Sequence, residues 1–142
     1  MQIDEVIARV EISALMSLYN TAGDSGRREE FSTVFTDDAV LEAPGINYTG
    51  KDAIVDGLFS GEAMARFVRH HLGTSTIAMT GPDTARGRTY FQVITEIGLD
   101  HSGVYTDRFR REDDTWNIAH RKVSIDYVSG DSRFFPHGRP VR

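Results

Sequence analysis

Five side chains in this sequence are of types that move protons or steady charge: Tyr19, Asp24, His70, His71 and Arg121. Imidazole titrates near neutral pH, so either histidine could take a proton from a bound molecule and return it. His70 and His71 are neighbours in a β-branched stretch, where alternation turns them to opposite faces; only one can enter an interior cavity, and alternation alone does not choose. Asp24 follows the end of the first helical segment. Its carboxylate could accept an imidazole N–H and make that ring a stronger base, or it could cap the next helix. Tyr19 brings a phenol able to polarise a carbonyl or donate to a leaving group, and would serve equally as a core residue with a satisfied hydroxyl. Arg121 alternates with Ala119, Val123, Ile125 and Tyr127, while Ile118, His120, Lys122, Ser124 and Asp126 take the other face. A permanently charged guanidinium on an apolar face requires a carboxylate, for which Asp107 and Glu96 are candidates, or an anionic ligand group.

The elements that must position these groups can be read from hydrophobic spacing. Ile3, Ile7, Val10, Ala14, Leu18 and Ala22 form one apolar stripe on a first helix that stops at Gly23. A second short helix is predicted over 27–34, capped by Asp24 or Ser25, and then a turn feeds a short strand over 35–42 that Pro44-Gly45 closes. A third helix follows Gly50 and runs toward Met64. Beyond it the composition turns β-branched and aromatic. Breaks at Gly81-Pro82-Asp83, at Asp100-His101-Ser102-Gly103 and at Glu112-Asp113-Asp114 leave strands over 68–80, 84–99, 104–111 and 115–127. Helices first and an antiparallel meander after give an α+β class, with an irregular tail over 132–142.

Composition bounds the rest. A chain of 142 residues, 39% hydrophobic and 26% charged, is expected to form a single folded domain over 1–142. A net charge of −5 without a Lys/Arg run argues against nucleic acid as a partner. The absence of cysteine excludes disulfides, a thiolate nucleophile and a thiolate metal site. Neither a leader nor an apolar run of the ~18 residues a membrane span needs is visible, so a cytoplasmic protein without membrane contact is expected. Gly-rich phosphate loops, G-x-S-x-G and H-E-x-x-H are missing, and adjacent strand histidines diverge too far to chelate one metal, so no metal or cofactor is expected.

The pattern resembles the SnoaL-like proteins of the NTF2-like superfamily, which include polyketide cyclases, scytalone dehydratase, bile acid dehydratase and hexachlorocyclohexane dehydrochlorinase. The resemblance rests on Tyr19 and Asp24 five residues apart, Phe35-Thr36-Asp37-Asp38-Ala39-Val40, Gly50 before Ala53-Ile54, His70-His71-Leu72-Gly73-Thr74, and the run from Gly103 through Arg111 ahead of Trp116. It implies a cone of N-terminal helices packed on a curved, mostly antiparallel sheet. It also implies an aspartate, matched by Asp24, that orients a proton-abstracting histidine, matched by His71 when Gly73-Thr74 is the anchor and by His70 on the other dehydratases. Arg121 matches an arginine that steadies the leaving group in the dehydrochlorinase. Ala43-Pro44 stands where the related ketosteroid isomerase carries its catalytic aspartate, which disfavours that mechanism.

Together these readings predict a cofactor-free lyase or isomerase, dehydratase- or cyclase-like, acting on a small apolar cyclic substrate. His71, or else His70, would take the proton, oriented by Asp24, while Tyr19 and Arg121 steady the developing charge. The same cone could instead be a noncatalytic ligand-binding or assembly module, or a structural subunit resembling the small subunit of ring-hydroxylating dioxygenases. The apolar Phe134-Phe135-Pro136 could close the cavity or dock on a neighbour, and a homo-oligomer, dimer or trimer, is expected.

Overall fold

Helical spacing in the first segment is satisfied by two apolar stripes. The structure, a computed structural model that describes residues 1–60 and 65–140, buries the second of them. Helix α1 (Ile3–Asp24) has Asp4 and Glu5 in its first turn, where they suit the positive end of the helix dipole. Its buried face is built by Ala8, Ile12, Leu15, Met16, Tyr19 and Ala22. Of the expected stripe, Ile3, Ile7, Val10 and Ala14 are exposed, Leu18 is half-buried, and Ala22 alone lies in the core. The stripe that wins adds Met16 and Tyr19 to Ile12 and Leu15, so burying it removes more apolar surface from water where the helix crosses the sheet.

Helix α2 (Arg28–Ser32) is shorter than expected, and its N-cap is Arg27 with no side-chain bond, so neither Asp24 nor Ser25 caps it. Strand β1 (Phe35–Ala43) turns at Pro44-Gly45, with Gly45 at φ +74, into β2 (Ile46–Thr49), a strand the sequence reading missed. Helix α3 (Lys51–Leu58) ends earlier than predicted, and Met64 lies outside the described residues. Four long strands follow: β3 (Arg69–Gly81), β4 (Thr84–Thr95), β5 (Gly98–Glu112) and β6 (Thr115–Val128).

The six strands form one sheet in the order β2-β1-β6-β5-β4-β3, antiparallel throughout except where β1 runs parallel to β6. The meander β3 to β6 is therefore as expected, with one turn misplaced. Asp100 to Gly103 are strand residues, and the β4–β5 turn is Glu96-Ile97, with Thr95 opposite Gly98 at φ +93. Along β4 the alternation is regular: Ala85, Thr89, Phe91 and Val93 are buried, and Arg86, Arg88, Tyr90 and Gln92 are exposed.

Two slips interrupt the β5–β6 register, one between Arg108 and Phe109 and one between Ser102 and Gly103. Each bulge inserts an extra residue in β6 and bends the sheet around α1. The first lets Ile118 and Arg121 both face inward, where strict alternation would separate them; the second turns Tyr127 out to solvent. Among the described residues no helix is long and apolar enough to cross a membrane.

Candidate active site

A cavity of about 490 Å³ opens beside the C-terminal end of α1. Its apolar wall is Phe31, Leu58, Phe59, Val68 and Phe134; its polar side chains include Tyr19, Asn20, Asp24 and His70. The aromatic packing behind the wall is close, with Phe31 centroids 4.9 Å from Tyr19, 5.3 Å from Phe35 and 5.2 Å from Phe59.

The first observation of consequence is how Asp24 is used. As the last residue of α1 it sends both carboxylate oxygens to one residue of β3. Oδ1 lies 2.6 Å from His70 Nδ1, and Oδ2 accepts the His70 backbone N–H at 2.8 Å. A carboxylate only accepts, so Nδ1 carries a proton, and in the neutral ring Nε2 keeps its lone pair. Nε2 has no hydrogen-bond partner among the described residues. Such a ring is fixed in tautomer and orientation, the condition for taking a proton at Nε2. His71 sits opposite Gln92 on the other face of the strand, exposed and away from the cavity. Of the two histidines the geometry brings His70, not His71, to Asp24, because alternation along β3 admits one and excludes its neighbour.

Arg121 faces inward as its apolar neighbours predict, fully buried. Its guanidinium forms two parallel bonds with Asp107, Nε to Oδ1 at 2.8 Å and Nη2 to Oδ2 at 2.9 Å. Glu96, the other candidate partner, bonds Arg133 and the Arg66 N–H instead. Tyr19 and Tyr105 enclose the guanidinium, with ring centroids 4.2 and 3.9 Å from its carbon. Burial works against the charge, but Asp107 more than reverses this and holds the guanidinium proton more firmly than usual. Burial also pushes the Tyr19 phenol up, against the pull of Arg121, and holds Tyr105 well above the ordinary range. Both phenols are therefore neutral donors at physiological pH. Arg121 itself does not line the cavity; it lies against the Tyr19 ring that does.

The SnoaL-like domain family matches residues 4–122, most of the chain. The chain belongs to that family. No curated protein sequence matches it. Among solved structures, this SnoaL-like chain is similar to a candidate scytalone dehydratase from Novosphingobium aromaticivorans, with TM-score 0.79, 22% identity and 91% of each chain covered. It is also similar to hexachlorocyclohexane dehydrochlorinase LinA-type3 from Novosphingobium barchaimii, at TM-score 0.81 and 18% identity, covering 89% of this chain and 92% of that one. A third likeness is to the β subunit of a candidate aromatic-ring-hydroxylating dioxygenase from Novosphingobium aromaticivorans, at TM-score 0.74 and 19% identity, covering 96% and 99%. At these identities the likeness is one of fold: helices over a curved, unclosed sheet, the NTF2-like cone.

Within this SnoaL-like cone the structure adds residues that the sequence reading did not single out. Asn20 lines the cavity one helical turn before Asp24, a spacing that places both on one face and could have found it. Phe134, which the sequence had already offered as a closure, reaches the cavity from the tail, which a buried cluster anchors. Asp100, fully buried, accepts from His101 Nδ1 at 2.7 Å, Ser132 Oγ at 2.6 Å and the Arg133 N–H at 2.6 Å. The His101 ring meets Phe134 and Phe135 at centroid distances of 5.2 and 4.8 Å. The tail therefore closes one side of the cavity, the first of the two uses its apolar residues allow.

Proposed function

We propose that this SnoaL-like protein is a lyase or isomerase of the dehydratase or cyclase kind. It would take a proton from a small, largely apolar cyclic molecule, with His70 as general base and Asp24 holding its ring. The observation that carries the reading is the Asp24 carboxylate bonded twice to His70 at the wall of an apolar cavity, with no partner for Nε2 among the described residues. In the reaction, Nε2 removes a proton from carbon next to a carbonyl. The resulting imidazolium is stabilised by Asp24, and the electron pair moves toward the carbonyl oxygen or expels a group on the neighbouring carbon. Tyr19 donates its neutral hydroxyl to the oxygen that gains charge. Arg121 acts through Tyr19: a cation against the ring makes the phenol a better donor. This set needs no further group to perform proton abstraction and elimination, and it uses His70 where the sequence had weighted His71.

The test is a panel of cyclic ketones and β-hydroxy carbonyl compounds in deuterated water. Deuterium incorporation or elimination should fall by about 10²–10⁴-fold in His70→Ala. It should fall strongly in Asp24→Asn and be unchanged in His71→Ala. Undiminished turnover in His70→Ala would sink the reading. Binding across the panel with no exchange in the wild type would turn the same cavity into a ligand-holding module.

Self-association belongs to the same proposal. The exposed apolar side chains of Ile3, Val6, Ile7 and Val10 share one side of α1, a patch that suits a second copy. Light scattering that returned only monomer at micromolar concentration would remove it.

A further inference from the structure

On the face of the sheet turned away from α1, alternation gathers Arg86 and Arg88 of β4, Arg108 of β5 and Lys122 of β6, all four exposed. Register fixes their spacing. Arg86 stands opposite Arg108; in the next row Thr106 stands between Arg88 and Lys122, with Thr76 of β3 beyond Arg88. Residues opposed on neighbouring strands have Cβ atoms about 5 Å apart, so four long cationic side chains crowd one patch. They line a groove of about 610 Å³ together with Thr76 and Thr106. Among the described residues none of the four cations makes a side-chain hydrogen bond or an ion pair. Their neighbours are matched. Arg110, next on the same face of β5, is held by Asp38 and Glu112, and Arg121 is held by Asp107 on the inner face. Glu42, in register with Lys122, lies 2.8 Å from His120 Nε2 instead. A chain with 21 acidic residues against 16 basic ones has carboxylates to spare, yet sets none against these four. Like charges directly opposed across strands are destabilising, so the arrangement stands at a cost that a bound anion would offset.

We propose that this outer face is a second ligand site, for a small soluble molecule that carries a diphosphate group. Guanidinium forks match phosphate oxygens two at a time, and an ammonium adds a point charge. The Thr76 and Thr106 hydroxyls are further donors at the same groove. Two rows of cations, Arg86 with Arg108 and Arg88 with Lys122, suit two linked phosphates better than one. Neither an aromatic nor a large aliphatic side chain lines the groove, so it lacks the buried anchor on which protein partners depend. Four cations on a chain of net charge −5 are too few for nucleic acid, which needs many phosphates neutralised. The sheet separates this groove from the cavity that holds His70, so the site goes beyond the proposed function and does not depend on it.

The experiment is calorimetry on the full chain with sodium pyrophosphate, orthophosphate and sulfate at matched ionic strength, and with a poly-glutamate peptide. The wild type should bind pyrophosphate at one site, at least about tenfold more tightly than either single-centre anion. Arg86→Gln combined with Arg108→Gln should weaken that binding by at least about tenfold. Arg66→Gln combined with Arg139→Gln removes the same charge from exposed arginines outside the groove, and should change it by less than about twofold at physiological salt. Because it relieves an opposed like-charge pair, the first double variant should melt no lower than the wild type. Lys122→Gln leaves that pair in place and should still weaken pyrophosphate binding several-fold. No pyrophosphate binding, equal affinity for all three anions showing adventitious ions only, or an equal loss in the control variant would each overturn the proposal. So would Lys122→Gln binding like the wild type, or a marked fall in melting temperature showing that the arginines serve the fold. Tighter binding of poly-glutamate than of pyrophosphate would overturn it in favour of an acidic protein partner.

Discussion

Asp107 and Arg121 face each other across β5 and β6, and neither reaches water. Such a pair is weak evidence of net stabilisation, because desolvating two charges offsets most of their attraction. Breaking it is another matter. Asp107→Ala would leave a guanidinium buried with its two strongest bonds gone, and we expect a loss of about 3–5 kcal/mol in urea denaturation. The double variant Asp107→Leu with Arg121→Met should recover most of that loss. A single variant as stable as the wild type would show that the two aromatic rings around Arg121 suffice to hold it. At this scale the sequence was a partial guide: an arginine among apolar strand residues announced its burial, while Asp107 was one of two carboxylates it offered beside an anionic ligand group. It could not announce that Asp24 would take His70, because that choice depends on which face of β3 meets the helix.

Elements were legible where a pattern is local and misread where distant partners decide. The strands of the meander follow from β-branched runs and turn residues. Asp100-His101-Ser102-Gly103 has the composition of a turn, yet Ser132 and Arg133, some thirty residues on, draw Asp100 inside and keep the stretch in β5. The α1 stripe went wrong for a related reason: two stripes fit the helical period, and only the sheet selects between them. The bulges also escape a reading by alternation, and Gly103 shows why one of them needs its residue. A Cβ there would overlap the Ser124 carbonyl oxygen and press on the Phe91 ring. Gly103→Ala should therefore lose about 1–3 kcal/mol or fail to fold, as overpacked sites do. Gly130→Ala, with nothing near its Cβ and no unusual φ, is the control expected to melt like the wild type. Equal melting of the two would mean that the bulge shifts to make room.

The cavity depends on the whole molecule, since its wall combines α1, the end of α3, the start of β3 and the tail. The tail is tied by Asp100 and His101, and both groups hold protons less tightly folded than unfolded. For His101 burial lowers proton affinity more than Asp100 raises it; for Asp100 burial favours the acid, but Ser132, His101 and the Arg133 N–H overcome this and pull it below the usual range. The unfolded chain therefore binds more protons as pH falls, and stability rises with pH in both windows. The His101 contribution is complete above about pH 6.5 and declines as pH falls below it; the Asp100 contribution declines below about pH 3.9. Melting temperature should fall between pH 7 and 5, and His101→Asn, which keeps an N–H for Asp100 but does not titrate, should flatten that part of the curve. A flat wild-type profile over the same range would detach the tail from this pair. The parallel seam between β1 and β6 carries a different consequence, for the order in which the protein can be made. Leu41 pairs with Arg121, so β1 finds its long neighbour only after β6, some eighty residues on, has been synthesised. Until then the β1–β2 hairpin has no sheet to join, and the ring cluster around Phe31 and Phe35 lacks its backing. The cavity is therefore completed only when β6 and the tail residue Phe134 join walls that were synthesised well before them.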